Sequence, residues 1–461
     1  MKEFRVLAPT AILGYGFPES SFAEGMARKP HVIAVDAGST DPGPYYLGAG
    51  VSFTDRSAVK RDLEYMIKAG VENNIPVIIG SAGGCGANSH LDWNVDIVLE
   101  IAREQNLSFK LGVINAQIEK NTVLQHLRDG GLRSMSSVPQ VTEEEIANSS
   151  NIVAQMGTEP FIKALEQGAQ VIVAGRAYDP TVFACLAIKE GFDEGLALHM
   201  GKILECATIA AVPGSGSDCM LGTLRADHFV LEPLSPQRKC TTLSVAAHTL
   251  YEKSDPTKLP GPGGTLDLSE CVFEQLTDNS VKVSGTKFIP DQKYFVKLEG
   301  AMRKGYRTVS IAATSDPIFI EKIDSIVDAV KERVRSNFAN LSGYFLDFKV
   351  YGKNGVMLTP SSKEPMNLCD RVPAEICIVI ESVAQTQDIA NTICSFARSS
   401  LLHFGYDGRK STAGNLAFPF SPSDFTAGEV FGFSVYCLMP STDPCMYFPV
   451  NVKLCERGEL K

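Results

Sequence analysis

The strongest constraint on this chain is a series of short, mainly apolar runs that do not alternate with polar residues and that end in turns carrying chemistry. The stretch HVIAVDAGSTDPGP, residues 31–44, is the clearest case. Residues 31–35 predict a buried strand, because an apolar, β-branched run without alternation suits a sheet covered on both faces. Asp36 follows at once. The next eight residues hold little regular structure: Gly38, Pro42, Gly43 and Pro44 break it, while Ser39, Thr40 and Asp41 favour turns and helix caps. An acid at the carboxyl end of a parallel strand lies where open α/β sheets bind ligands.

The same unit recurs through the first third of the chain. Strands are predicted at 4–7, 31–35, 75–79, 110–114 and Val171–Ala174, with helices around 20–28, 57–72, 91–104, 121–128 and 159–167 between them. In 57–72, Val59, Leu63, Met66, Ile67 and Ala69 fall at helical spacing. The segment PQVTEEEIANSSN reads as a polar break. This order predicts a mostly parallel α/β sheet with helices on both faces; a closed barrel is the alternative, with too few strands visible to prefer it.

Residues 180–211 read as helical. Residues 222–233 and 271–311 read as strands, with a helix over 242–253, and 220–311 is taken as a β-rich extension of a first domain spanning 1–340. A long amphipathic helix is expected at 316–338. Strands at 345–351, 375–382, 429–438 and 446–452, with a helix at 386–403, predict a small α+β, ferredoxin-like domain at 341–461.

At 461 residues the chain has room for two or three cores. Its net charge of −10 is spread without a basic stripe, which argues against a nucleic-acid or membrane-surface partner. No apolar run reaches the roughly 18–20 residues of a membrane span, and the N-terminus enters a strand directly, so a cytoplasmic location is expected. The twelve cysteines are scattered, without a CxxC, as reduced buried thiols would be.

Four predicted strand ends carry polar groups. Beside Asp36 and Asp41, the loop 80–90 offers Gly83, Gly84 and Gly86, whose amides could approach an anion, with Asn88 or Ser89 capping the helix behind. Its spacing matches neither a dinucleotide fingerprint nor a P-loop, and a tight strand-to-helix turn without ligand is the bland alternative. Asn115 and Gln117 follow the fourth strand. GRAYDP places Arg176, a bidentate partner for carboxylate or phosphate, beside Asp179; an Arg176–Asp179 turn clamp is the structural alternative.

On the helix after them, His199, Lys202 and Cys206 share one face, with Glu205 to one side. They offer an acid or base and an anion contact, against the plainer reading of a satisfied core histidine. Cys206 with His199 is a weaker nucleophile pair. Asp218, in the PGSGSDC turn, ranks behind these. His248 and Glu252 stand four apart, a metal-ligand spacing, but no third ligand can be named and no metal is predicted. The apolar, aromatic stretch 411–425 is read either as a pocket cover or as a domain contact.

VDAGSTDPGP, SAGGCG, AGRAYDP, HMGKILEC and SVAAHTLYE, in that order, resemble the acyclic terpene utilisation protein A family over roughly residues 3–340, and GNLAFPFSPSD resembles the C-terminal part of one branch. The resemblance implies a part in the catabolism of citronellol-type terpenes and related acids through CoA thioesters. Some relatives carry or neighbour a small ferredoxin-fold domain with an ARSGDKG-like sequence. Here Ala397, Arg398 and Ser399 are followed by Ser400 and leucines instead.

The residues then suggest a redox-neutral enzyme, a hydratase, lyase or isomerase, acting on a small carboxylic acid or acyl-CoA. Asp36 or Asp41 would be the base, His199 its acid partner, and Arg176 with the Gly83–Gly86 amides the anion clamp. Ser39, Thr40, Asn88, Asn115, Asp179 and Lys202 would complete the binding wall. No cofactor is expected beyond CoA as part of the substrate. The alternatives are a non-catalytic CoA- or acyl-binding subunit of a catabolic complex, with a homo-oligomer or complex partner, and a metal-dependent hydrolase using His248 and Glu252.

Overall fold

The computed structural model describes residues 3–135, 138–252, 255–353, 355–356 and 373–461. The chain forms two compact units, residues 1–302 with 433–461, and residues 303–432.

The first unit is built on the strands β1 (Phe4–Ala8), β2 (Val32–Asp36), β3 (Val77–Gly80), β4 (Ser108–Ile114) and β5 (Val171–Ala174). They lie side by side in the order β1-β2-β3-β5-β4, all parallel. Their side chains divide by the period of two that a strand imposes. Val6, Val32, Ala34, Ile78 and Ile172 join a core with Val182 and Met200 of the helices Asp179–Lys189 and Glu194–Leu204. Leu7, Ile33, Val35, Ile79 and Val173 join a second core with Leu63 and Ile97 of the helices Arg56–Glu72 and Asn88–Glu104. Both faces of the parallel strands are therefore covered, which is why their sequences show no polar alternation.

Around this parallel centre the sheet is antiparallel. The β-rich segment adds Met220–Leu224 beside β1, then His228–Pro233, Val281–Ser284 and Val272–Gln275, so most of it extends the main sheet. A separate three-stranded sheet holds Lys258–Gly261, Gly264–Asp267 and Lys287–Pro290. On the other side, Val450–Glu456 returns to pair antiparallel with β4. That return assigns 433–461 to the first unit, whereas the sequence pattern placed it in a separate domain at 341–461.

The second unit pairs Phe345–Tyr351 and part of the long strand Tyr294–Thr314 with Ile376–Ala384, all antiparallel. Ile323–Asn337 and Gln387–Leu402 share one core with these strands through Val330, Phe348, Ile378, Ile380 and Ile393. The helix expected over 316–338 is divided into Pro317–Glu321 and Ile323–Asn337. The helix expected over 242–253 is Thr242–Thr249, and Lys253 lies outside the described residues. The supposed polar break holds a short helix, Glu143–Asn148, and the start of a strand the sequence reading missed, Ser149–Ala154, which pairs with Leu298–Met302.

Candidate functional site

Asp36 is the last residue of β2, and strand parity turns its side chain toward the helices that follow β5. It is only 5% exposed. Oδ2 accepts a 3.0 Å hydrogen bond from the Gly38 amide, and Oδ1 has no hydrogen-bond partner among the described residues. Burial, followed by the neighbouring Asp179, holds this carboxyl well above the usual carboxylate range, with Glu205 adding to the effect and Arg176 opposing it. The raised pKa favours the protonated form of Asp36, and Oδ1 is the oxygen left to carry the proton.

Arg176 stands just past the end of β5 and is also buried. Nε bonds Glu299 at 2.8 Å, and Nη1 bonds Asp179 at 2.8 Å, the Ser81 hydroxyl at 3.1 Å and the Ala177 carbonyl at 3.0 Å. None of these bonds uses Nη2. Glu299 in turn accepts from Gln155 at 3.0 Å and pairs with Lys297 at 2.9 Å. Burial opposes the charge of both members of the Arg176–Glu299 pair, but each outweighs the cost for the other: Glu299 and Asp179 hold Arg176 well up, while Arg176 and Lys297 hold Glu299 down at about 2. The arginine is thus fixed in place by carboxylates, which is both the clamp with Asp179 and a larger network than the sequence disclosed.

Lys202 projects from the helix Glu194–Leu204, is almost fully buried, and is ion-paired to Glu205. Burial works against its charge and Glu205 more than offsets this, so its ammonium lies above the ordinary value. Its Nζ is 5.7 Å from the Tyr251 ring centre. Through the shared influence of Asp179 and Glu205, Lys202 belongs to the same charged neighbourhood as Asp36 and Arg176.

Other expected residues are placed differently. His199 is fully buried, bonded through Nδ1 to Thr286 at 2.7 Å and through Nε2 to Thr249 at 3.0 Å, and packed edge-on against Phe229. Burial pushes its pKa down to about 3, so it is neutral and cannot serve as the acid partner of Asp36. Burial and Glu205 raise the Cys206 thiol, which removes the nucleophile pair as well. Asp41 is exposed and accepts from the Ser39 hydroxyl at 2.7 Å; Thr40 beside it is buried. Asn88, Asn115 and Gln117 do meet, but they bond one another: the Asn88 amide donates to Gln117 at 2.9 Å, and Asn115 to the Asn88 side chain at 3.0 Å.

The glycine loop is shaped by close packing. The amides of Gly84 and Gly86, expected to donate to an anion, donate instead to the carbonyls of Ser81 and Ala82. A Cβ on Gly86 would lie 2.0 Å from the Arg176 backbone nitrogen, and one on Gly83 would lie 2.8 Å from His90 Cβ. Glycine at 86 therefore lets the loop after β3 lie directly against the turn that bears Arg176. Asp218 is held by Arg238 at 2.8 Å. His248 stacks on Tyr251, with ring centres 5.2 Å apart, and burial lowers it to about 4. Among the described residues no group of three or more His, Cys, Asp or Glu is arranged to hold a metal ion.

The sequence reading passed over Glu299, Lys297, Gln155 and Ser81. Glu299 left one readable signal, a lone acid within the otherwise strand-like FVKLEGA. A charge at a buried position of a strand requires a partner of opposite sign.

A family model described as acyclic terpene utilisation family protein AtuA matches residues 55–214 and 229–416. No curated protein and no solved structure matches the chain.

Proposed function

The chain belongs to the acyclic terpene utilisation family AtuA, and from that premise we propose that it is a redox-neutral catabolic enzyme, a hydratase, lyase or isomerase, acting on a small carboxylic acid or its CoA thioester. The observation that carries the reading is Asp36: a buried carboxyl with a raised pKa at the end of a parallel strand, with Oδ1 unpartnered among the described residues and a fixed arginine in its electrostatic neighbourhood. Reactions that add or remove water, or that shift a double bond beside a carbonyl, need a proton delivered to carbon or to a leaving hydroxyl and later recovered. A carboxyl whose pKa is raised toward the working pH does both.

In this reading Asp36 Oδ1 gives its proton to the substrate. The resulting carboxylate is stabilised by the Gly38 amide and by Arg176, and it then takes a proton back. Arg176 Nη2 is the donor we assign to the substrate carboxylate or thioester oxygen, while Glu299 and Asp179 hold the guanidinium still. Lys202 adds positive potential as negative charge develops. The acid is thus Asp36 itself, not a histidine.

The test is Asp36→Asn assayed for hydration or isomerisation of short branched unsaturated acyl-CoAs and of the free acids. Turnover should fall by about 10²–10⁴-fold with the fold intact. Undiminished turnover in the variant would remove Asp36 from the chemistry.

A further inference from the structure

We infer that the first unit holds a second binding site, for an organic phosphate, in a cavity that adjoins the Arg176–Glu299 network. The inference does not depend on the catalytic reading of Asp36. The cavity has a volume of about 450 Å³, and its walls include Arg133, Gln155, Tyr178, Lys293, Phe295 and Lys297.

Its charge is lopsided. Three cations, Arg133, Lys293 and Lys297, line it against one acid, Asp291. Lys297 is matched by Glu299. Arg133 and Lys293 form no ion pair among the described residues, although the chain as a whole carries a net charge of −10. In an acidic protein, two unmatched cations facing one cavity mark a place where an anion gains from binding.

The aromatic groups define the rest of the ligand. The Arg133 guanidinium lies 4.2 Å from the Phe295 ring centre, which orients its flat donor fork in advance. Lys297 Nζ lies 4.5 Å from the Tyr436 ring. Phe295 and Tyr178 supply apolar wall, so the cavity suits a body with an apolar or planar surface and a compact, multiply charged anion at one end. A phosphate ester meets both conditions.

The strand Tyr294–Thr314 explains the position of the cavity. Phe295, Lys297 and Glu299 alternate onto one of its sides, so two residues face the cavity and the third enters the charged network. Gln155, from beside the paired strand Ser149–Ala154, lines the cavity and also bonds Glu299. A ligand seated there meets Lys297 and Gln155, both of which bond Glu299, the group that fixes Arg176.

The experiment is calorimetric titration of the full chain with phenyl phosphate and with inorganic phosphate, repeated on an Arg133→Gln, Lys293→Gln double variant. Both positions are exposed, and circular dichroism verifies that the variant is folded. We expect saturable binding of phenyl phosphate, tighter than that of inorganic phosphate, and a loss of affinity of at least about tenfold in the double variant. The absence of saturable binding, a stronger response to inorganic phosphate, or equal affinity in the variant would each overturn the proposal.

Discussion

Asp36 and Glu299 are both buried carboxyls, and their partners drive them in opposite directions. Glu299 faces Arg176 and Lys297 and is held ionised, at about 2. Asp36 faces Asp179 and Glu205 as well as Arg176, and burial prevails, so its pKa is raised. The consequences for stability have opposite signs. The contribution of Glu299 is present above the unfolded carboxylate value of ~4.3 and is lost as pH falls toward about 2. Glu299→Gln should therefore destabilise the protein at neutral pH by roughly 3–5 kcal/mol, because the buried Arg176 and the partly buried Lys297 lose their counter-charge. Chemical denaturation would measure it, and a cost below 1 kcal/mol would show that Arg176 finds another partner. For Asp36 the favourable contribution is complete below an unfolded value of ~3.9 and is lost as pH rises toward the raised folded value. Asp36→Asn should thus gain melting temperature over the natural protein increasingly as pH rises above ~4, which a series of thermal melts would follow. A constant difference across that range would mean that Asp36 is not raised.

At the scale of elements, the parallel strands were legible because burial on both faces leaves an apolar run that nothing else in the chain resembles. β1 to β5 lie within two residues or so of their sequence positions at each end. Ser149–Ala154 was not legible, because its first half is polar and only its pairing with the strand Tyr294–Thr314 makes it a strand. The glycine loop was visible as a turn, but its purpose was not: Gly86 serves the approach of one loop to another, a distance that no local pattern encodes. Gly86→Ala puts a Cβ 2.0 Å from the Arg176 nitrogen at a φ of +68°. Overpacking of this kind costs about 1–3 kcal/mol, and here it would also displace Arg176, so stability and ligand affinity should fall together in melting and titration experiments. A stable variant with unchanged affinity would show that the two loops move independently.

Across the whole molecule, sequence order and spatial order part company at the C-terminus. The strand expected at 446–452 was to complete a small local domain, yet it forms as Val450–Glu456 and its partner is β4, more than three hundred residues earlier. Nothing in a seven-residue strand with a mixed burial pattern names so distant a neighbour. The candidate site shows the same limit. Asp36, Arg176, Asp179 and Lys202 were readable as chemistry at strand ends and on the following helix, but Glu299, which fixes Arg176, arrives from a strand more than a hundred residues away. Removing residues 450–461 should uncover the β4 edge and its unpaired backbone groups, giving a chain that self-associates in size-exclusion chromatography. A monodisperse, fully folded truncation would contradict that assignment.

Catalysis by Asp36 requires that it hold its proton at neutral pH, and infrared difference spectroscopy of the natural protein against Asp36→Asn reads that proton. The expected result is the carbonyl band of a protonated carboxyl at neutral pH, present in the natural protein and missing from the variant. A carboxylate band assigned to Asp36 in mildly acidic buffer would contradict it.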